Sequence, residues 1–362
     1  MRRILSAGVA ALIAAATLGS ASAQTITYTV DCSKGQTISS AIERGDARQP
    51  LVVNVRGTCN EYVHITRNDV TLIGVSPGGA VHGPANAQPA IHIQADRVTL
   101  QDLDVSGGGT AVVVVGGPFL ASMTKVVVHH PDSGAAVVVR QGELGLNDCT
   151  LMNAENGLQL GRGATARLTG VTEIRDNAGS GIYLSDNATV VLSAGPGGTP
   201  GTKILNNSQH GIQLENGSHA TVNGAEIAGN LTGVRASAST VNVAGGVIKN
   251  NQEDGVFGDL GSTLLLQGNE IASNGTGVAC RADCTMQIGG AEIHGNATHA
   301  VVVMLDSRAI FQAPETTATD NGSVDLWCGD EKSSVDGVPG RSYDGGVFFV
   351  GSVSDTCVGF AD

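Results

Sequence analysis

The sequence predicts an all-β solenoid, a chain wound into stacked coils of short parallel strands. Three observations predict it. First, a motif recurs: an isoleucine, an asparagine three residues on, then a glycine. It is seen at Ile174/Asn177/Gly181, Ile204/Asn207/Gly211, Ile227/Asn230/Gly233, Ile248/Asn251/Gly255 and Ile271/Asn274/Gly277, and last at Ile293/Asn296 with Ala300 in the glycine slot. The isoleucines lie 30, 23, 21, 23 and 22 residues apart, and self-similarity at a period of this size marks a repeat architecture. Second, the apolar runs between turn residues are only a few residues long, as in HGIQLENGSHATVNGAEIAGN, too short for amphipathic helices. Third, 51 glycines and 3% aromatic residues suit many turns around a core of modest side chains. The low charge and abundant Val, Ile and Leu argue against disorder.

Each unit is therefore read as one coil of three short strands, paired with the coils above and below at about 4.8 Å. Like then stacks on like. The isoleucines form an inward column. The asparagines form a column at a tight turn, where the amide donates and accepts along the stack and left-handed φ is tolerated. The glycine lets the chain re-enter the next strand. The long first interval holds AGPGGTPG, residues 194–201, which reads as a loop insertion.

The elements follow in order. Residues 1–23, MRRILSAGVAALIAAATLGSASA, carry two arginines, a short apolar run and Ala21-Ser22-Ala23, the pattern of a secretory signal peptide. Removing them would leave 339 of 362 residues beginning at Gln24, with no later segment long and apolar enough to span a bilayer. Residues 24–59 are read as an N-terminal cap. Within them GQTISSAIERG places Ile38, Ala41 and Ile42 on one helical face, suited to plugging an open solenoid end. Residues 60–322 form about eleven coils, roughly 50 Å long at the strand spacing. Residues 323–362 break the period and read as a C-terminal cap. Seven cysteines in an exported chain suggest disulfides and one spare thiol. Proximity suggests Cys32–Cys59, Cys280–Cys284 and Cys328–Cys357, leaving Cys149 free; sequence alone does not fix the connectivity.

The Ile-x-x-Asn…Gly-Val/Ile pattern at about 22 residues resembles the right-handed parallel β-helix repeat of the pectate-lyase-like superfamily, strongly over residues 156–303 and less so over 60–155. The resemblance implies the right-handed sense, which parallel crossovers also favour. It further implies that a substrate groove follows the outward residues of the strand after the asparagine turn. Up the stack those are His64, His92, Val113, Val138, Gln159, Tyr183, Gln213, Arg235, Phe257, Ala279 and Val302, with Glu215, Ser237, Asp259 and Arg281 two residues further along.

On this face the candidate catalytic group is Glu215, Arg235 and Asp259, and the candidate ligand-binding group is Tyr183, Gln213, Arg235 and Phe257. Carboxylates serve as acid and base, and aromatic faces stack on sugar rings. The bland alternative is a solvated arginine between two carboxylates, worth little. His64 and His92 offer two metal ligands where zinc needs three or four, so no metal is expected. His129-His130-Pro131-Asp132 invites comparison with the Asp-Pro-His motif of alginate epimerases, but its order differs and it reads as a turn. Cys149 reads as an inert buried thiol. The Asn-x-Ser/Thr triplets at Asn187, Asn216, Asn230, Asn274, Asn296 and Asn321 read as turn chemistry rather than glycosylation sites. The chain lacks the paired aspartates of polygalacturonases and the aspartate cluster of calcium-dependent pectate lyases.

The net charge of −13 and the lack of a basic stripe argue against a nucleic-acid partner. An anionic polysaccharide would need a local arginine or a cation to bridge it. The reading is thus an exported, periplasmic or secreted bacterial β-helix that binds polysaccharide or another cell-surface ligand along one face. A polysaccharide lyase, hydrolase or epimerase is the first alternative, and a structural or adhesive surface protein the second. No cofactor is expected, with calcium entering only under the lyase reading.

Overall fold

A computed structural model describes residues 24–85, 88–114, 120–195, 201–330, 332–337 and 349–354. The expected signal segment, 1–23, lies outside them, as does most of the predicted insertion, 196–200. The described chain is a parallel solenoid. One coil comprises the strands His210–Leu214, His219–Asn223 and Glu226–Ala228, and the next comprises Thr232–Ser237, Thr240–Ala244 and Val247–Lys249. Every strand of one pairs in parallel with its counterpart: Ile212 with Val234, Ala220 with Val241, Ile227 with Ile248. The first strand of each coil contributes to a 12-stranded sheet running from Val63–Ile65 to Leu326–Cys328, and the other two merge in a 25-stranded sheet. The shorter sheet has 12 rungs where about eleven were expected. Leu326–Cys328 pairs with residues 301–303, so stacking runs beyond residue 322, and a further lap, Ile26–Asp31, lies on residues 51–56.

The core is a set of stacked aliphatic columns. Ile174, Ile204, Ile227, Ile248, Ile271 and Ile293 are all buried, each contributing about 1.5–3 kcal/mol relative to exposure. Beside them runs a continuous amide ladder. Nδ2 of each asparagine donates to Oδ1 of the next, from Asn177 through Asn207, Asn230, Asn251, Asn274 and Asn296 to Asn321, at 2.8–3.2 Å. The same Oδ1 also accepts the backbone N–H of the preceding ladder residue, for example Asn207 N to Asn230 Oδ1 at 3.0 Å. These amides, all buried except the half-buried Asn321, are satisfied, the condition under which a polar file can lie inside a core. Asn230, Asn274, Asn296 and Asn321 are thus occupied, as turn chemistry requires.

Two details of the turn differ from expectation. Left-handed φ belongs not to the ladder asparagine but to the residue before it: Asp176, Asn206, Gly229, Asn250, Ser273, Gly295 and Asp320. The turn bends there, and the asparagine is freed to point inward. The repeat glycine is selected by space rather than by φ. A Cβ on Gly181 would lie 2.6 Å from Ile204 Cγ2 and 2.7 Å from the Gly211 carbonyl oxygen.

The N-terminal helix is Ile38–Arg44, with Ile38, Ala41 and Ile42 buried. Its start is held by Glu61, whose carboxylate accepts from Ile38 N (2.7 Å), Ser39 N (3.1 Å) and Ser39 Oγ (2.6 Å). These bonds satisfy amides that a helix terminus leaves unpaired. Cys32–Cys59 closes beside it, and Cys280–Cys284 bridges a tight loop. Cys328 is also disulfide-bonded, and its expected partner, Cys357, lies outside the described residues. Cys149 is free and buried, and burial pushes its thiol up in pKa, as an inert reading requires. No helix among the described residues is long and apolar enough to cross a membrane.

Candidate functional site

The strand register reproduces the outward column of the 12-stranded sheet pair by pair. His64 faces His92, then Val113, Val138, Gln159, Tyr183, Gln213, Arg235, Phe257, Ala279 and Val302, and the column ends on Trp327. Side chains at these positions project from the sheet because successive residues of a strand alternate between faces.

The residues predicted as one site fall into two neighbouring groups. In the first, Tyr183 Oη donates to Glu215 Oε2 (2.9 Å), Gln213 Nε2 donates to Glu215 Oε1 (2.8 Å), and Ser180 Oγ donates to Gln213 Oε1 (2.8 Å). Both carboxylate oxygens of Glu215 are therefore engaged, and its charge raises the pKa of Tyr183 together with the larger effect of burial. A shallow groove of about 540 Å³ opens over this group, bordered also by Asn156, Gln159 and Gln209.

In the second group the Phe257 ring lies between two guanidinium groups, Arg235 at 5.5 Å and Arg281 at 5.4 Å from its centroid. Each distance lies within cation–π range. Arg235 Nη2 stands 3.9 Å from Asp259 Oδ2, a loose pair. Asp259 Oδ1 and Arg281 Nε are buried without a hydrogen-bond partner. Unmet buried donors and acceptors are costly, and Arg281 borders a groove of about 440 Å³ with Arg235 and Phe257.

Two further residues were not picked out from the sequence. Asp254 borders the second groove, and its carboxyl is pushed up to about 6, chiefly by burial and against the pull of Arg281. His210 is buried with Nδ1 unpartnered and is pushed down to about 4, first by burial and then by the charge of Arg235. Both stand immediately before the repeat glycine, in the file Ser180, His210, Thr232, Asp254, Thr276, His299. The repeat alignment contains that file, and its alternation of hydroxyl, imidazole and carboxylate was the signal available.

The remaining motifs lie apart from these two grooves. His64 and His92 stack at 4.9 Å between centroids, with His92 Nδ1 bonded to Tyr62 Oη and His64 Nε2 to Gln94, each at 2.8 Å. His129-His130-Pro131-Asp132 leaves the strand Val127–His129 by a turn at His130, whose φ is 46°. Among the described residues the one group of three ligand-type side chains within mutual reach is Cys32, Cys59 and Glu61. Its sulfurs form a disulfide and its carboxylate caps the helix. Among the described residues, no three carboxylates of the groove face lie within mutual ligand reach.

Residues 200–338 match the family model described as right handed beta helix region. The fold is a right-handed β-helix. Solved structures of the same architecture include a mannuronan C-5 epimerase A-module from Azotobacter vinelandii, 14% identical, with TM-score 0.54 over 82% of this chain and 92% of that one. The Dettilon tailspike protein is 12% identical, with TM-score 0.58 over 86% and 70%. The catalytic unit of an alpha-1,3-glucanase from Streptomyces thermodiastaticus is 14% identical, with TM-score 0.55 over 94% and 72%. At these identities the likeness is one of fold, and function resides in sites. No curated protein sequence matches the chain.

Proposed function

We propose that this β-helix is an exported carbohydrate-binding protein that holds an extended polysaccharide along its 12-stranded face. The observation that carries the reading is Phe257 set between Arg235 and Arg281 in an open groove. A half-buried ring at the groove offers a stacking surface for a sugar, and the guanidinium groups beside it, one of them loosely paired, offer charged hydrogen bonds to its oxygens. The Tyr183–Gln213–Glu215 network supplies polar contacts further along the same column. Epimerase and glucanase neighbours, named for mannuronan and alpha-1,3-glucan, lend support to a carbohydrate ligand. Export is supported by the character of residues 1–23 and by disulfides, which persist in oxidising compartments.

One observation favours a second reading, a polysaccharide-active enzyme. Asp254, pushed up to about 6 within the groove, has the proton affinity of a general acid. A panel of polysaccharides separates the two. Affinity electrophoresis should show retardation that is lost in a folded Arg235→Ala variant, with neither unsaturated uronate absorbance nor new reducing ends, with or without calcium. Unchanged retardation of the variant would move the ligand elsewhere. Turnover abolished by Asp254→Asn would establish the enzyme.

A further inference from the structure

The two grooves lie on one column, in the order Gln159, Tyr183, Gln213, Arg235, Phe257. Tyr183 and Phe257 are three rungs apart, about 14 Å at the strand spacing. A polysaccharide running along the stack and touching Phe257 would therefore reach Tyr183. The chemistry at the two ends is different.

The Tyr183 groove is lined by amides, a phenol and the carboxylates of Glu155 and Glu215, with no lysine or arginine. Each carboxylate oxygen of Glu215 already accepts one hydrogen bond. A carboxylated sugar placed here would meet like charge with no lysine or arginine in the lining to offset it. Hydroxyl or acetamido groups would instead find Gln159, Gln209 and Gln213 as donors and acceptors.

The Phe257 groove carries two arginines. Arg281 makes no salt bridge among the described residues and keeps Nε unpartnered, and Arg235 is held only loosely by Asp259 at 3.9 Å. Glu253 and Asp254 border the groove. Burial holds Asp254 toward its protonated form, which leaves Glu253 and the loosely paired Asp259 as the carboxylates beside the two arginines. An anionic group in this groove would meet the positive charge of both guanidinium groups.

We propose that the face selects a heteropolysaccharide with sparse acidic residues, taking one acidic sugar in the groove that Arg235, Phe257 and Arg281 line and uncharged sugars against Tyr183 and Gln213. The inference rests on the polysaccharide reading above and narrows it. A homopolyuronate would carry a carboxylate into the Glu155/Glu215 groove, and a neutral glucan would leave the arginines unanswered.

Three depolymerised probes of matched length test it by calorimetry at pH 6 and low salt: polygalacturonate, deacylated gellan with one uronate per four sugars, and dextran. Gellan should bind about tenfold or more tighter than either of the others, or about 1.4 kcal/mol. Arg281→Gln should bring gellan down to the dextran level. Glu215→Gln, with unchanged melting temperature, should raise polygalacturonate binding selectively. Polygalacturonate or dextran binding as tightly as gellan would overturn the selectivity while leaving the polysaccharide reading intact. Binding of none of the three at millimolar concentration would overturn both.

Discussion

Two columns run side by side through the same coils and obey opposite rules. The ladder from Asn177 to Asn321 sets one residue type at every level. The outward column changes at nearly every rung, from His92 through Val138 and Tyr183 to Arg235 and Phe257. Inside, each residue must satisfy the copy above and below, so repetition is the stable solution. Outside, solvent reaches most rungs, Val113, Ala279 and Val302 excepted, and satisfies what neighbours do not, so those rungs are free to carry chemistry. Regularity thus encodes the scaffold, and its interruption encodes the site.

The sharpest break of this contrast is steric. A Cβ on Gly233 would stand 2.4 Å from the Gly255 carbonyl oxygen and 2.7 Å from Ile248 Cγ2. Gly233→Val should cost more than about 4 kcal/mol, an exceptional loss for one residue, seen as lost strand signal in circular dichroism or a collapsed urea midpoint. Asn230→Ala comes next. It strips Oδ1 from the backbone N–H and Nδ2 of Asn207, leaving two buried donors unmet at about 1–3 kcal/mol each. Urea unfolding should show a loss of about 2–4 kcal/mol.

The groove file gives a smaller, pH-dependent effect. Asp254, raised from 3.8 to about 6, favours the fold at low pH and loses that contribution as pH rises to about 6. His210, depressed from 6.5 to about 4, contributes above 6.5 and loses it as pH falls toward 4. The two oppose each other between pH 4 and 6, so the wild-type profile should be shallow there. Asp254→Asn should make stability rise with pH across that window, and His210→Gln should make it fall, each by about 1–3 kcal/mol. Parallel profiles for both variants would contradict the assignment. The smallest effect on stability belongs to the outward column. Phe257→Ala should change unfolding by under about 1 kcal/mol, as surface changes do, while abolishing polysaccharide retardation.

What was legible followed the same division. The isoleucine and asparagine columns were readable because stacking forces identity at a fixed period, and the outward register followed from strand alternation. The early coils read less clearly because the ladder ends at residue 154, where Ala154 supplies only a backbone N–H to Asn177. The turn was misassigned by one residue because Asn250, Asn206 and the ladder asparagines share a letter while only one of each pair holds left-handed φ. The site was partly legible. Arg235, Phe257 and Asp259 are adjacent in the repeat alignment and do meet. Glu215 belongs to the other groove, because its oxygens are taken by Tyr183 and Gln213. Asp254 and His210 matter through burial, which a residue letter does not carry.

Hydroxyl-radical footprinting with a retained polysaccharide tests the central claim most directly, since it reports which face the ligand covers. Bound polysaccharide should protect Phe257 and Tyr183 together, leaving Tyr28 beside the N-terminal helix unchanged. Protection at Tyr28 with Phe257 still reactive would place the ligand off the 12-stranded face and contradict the account.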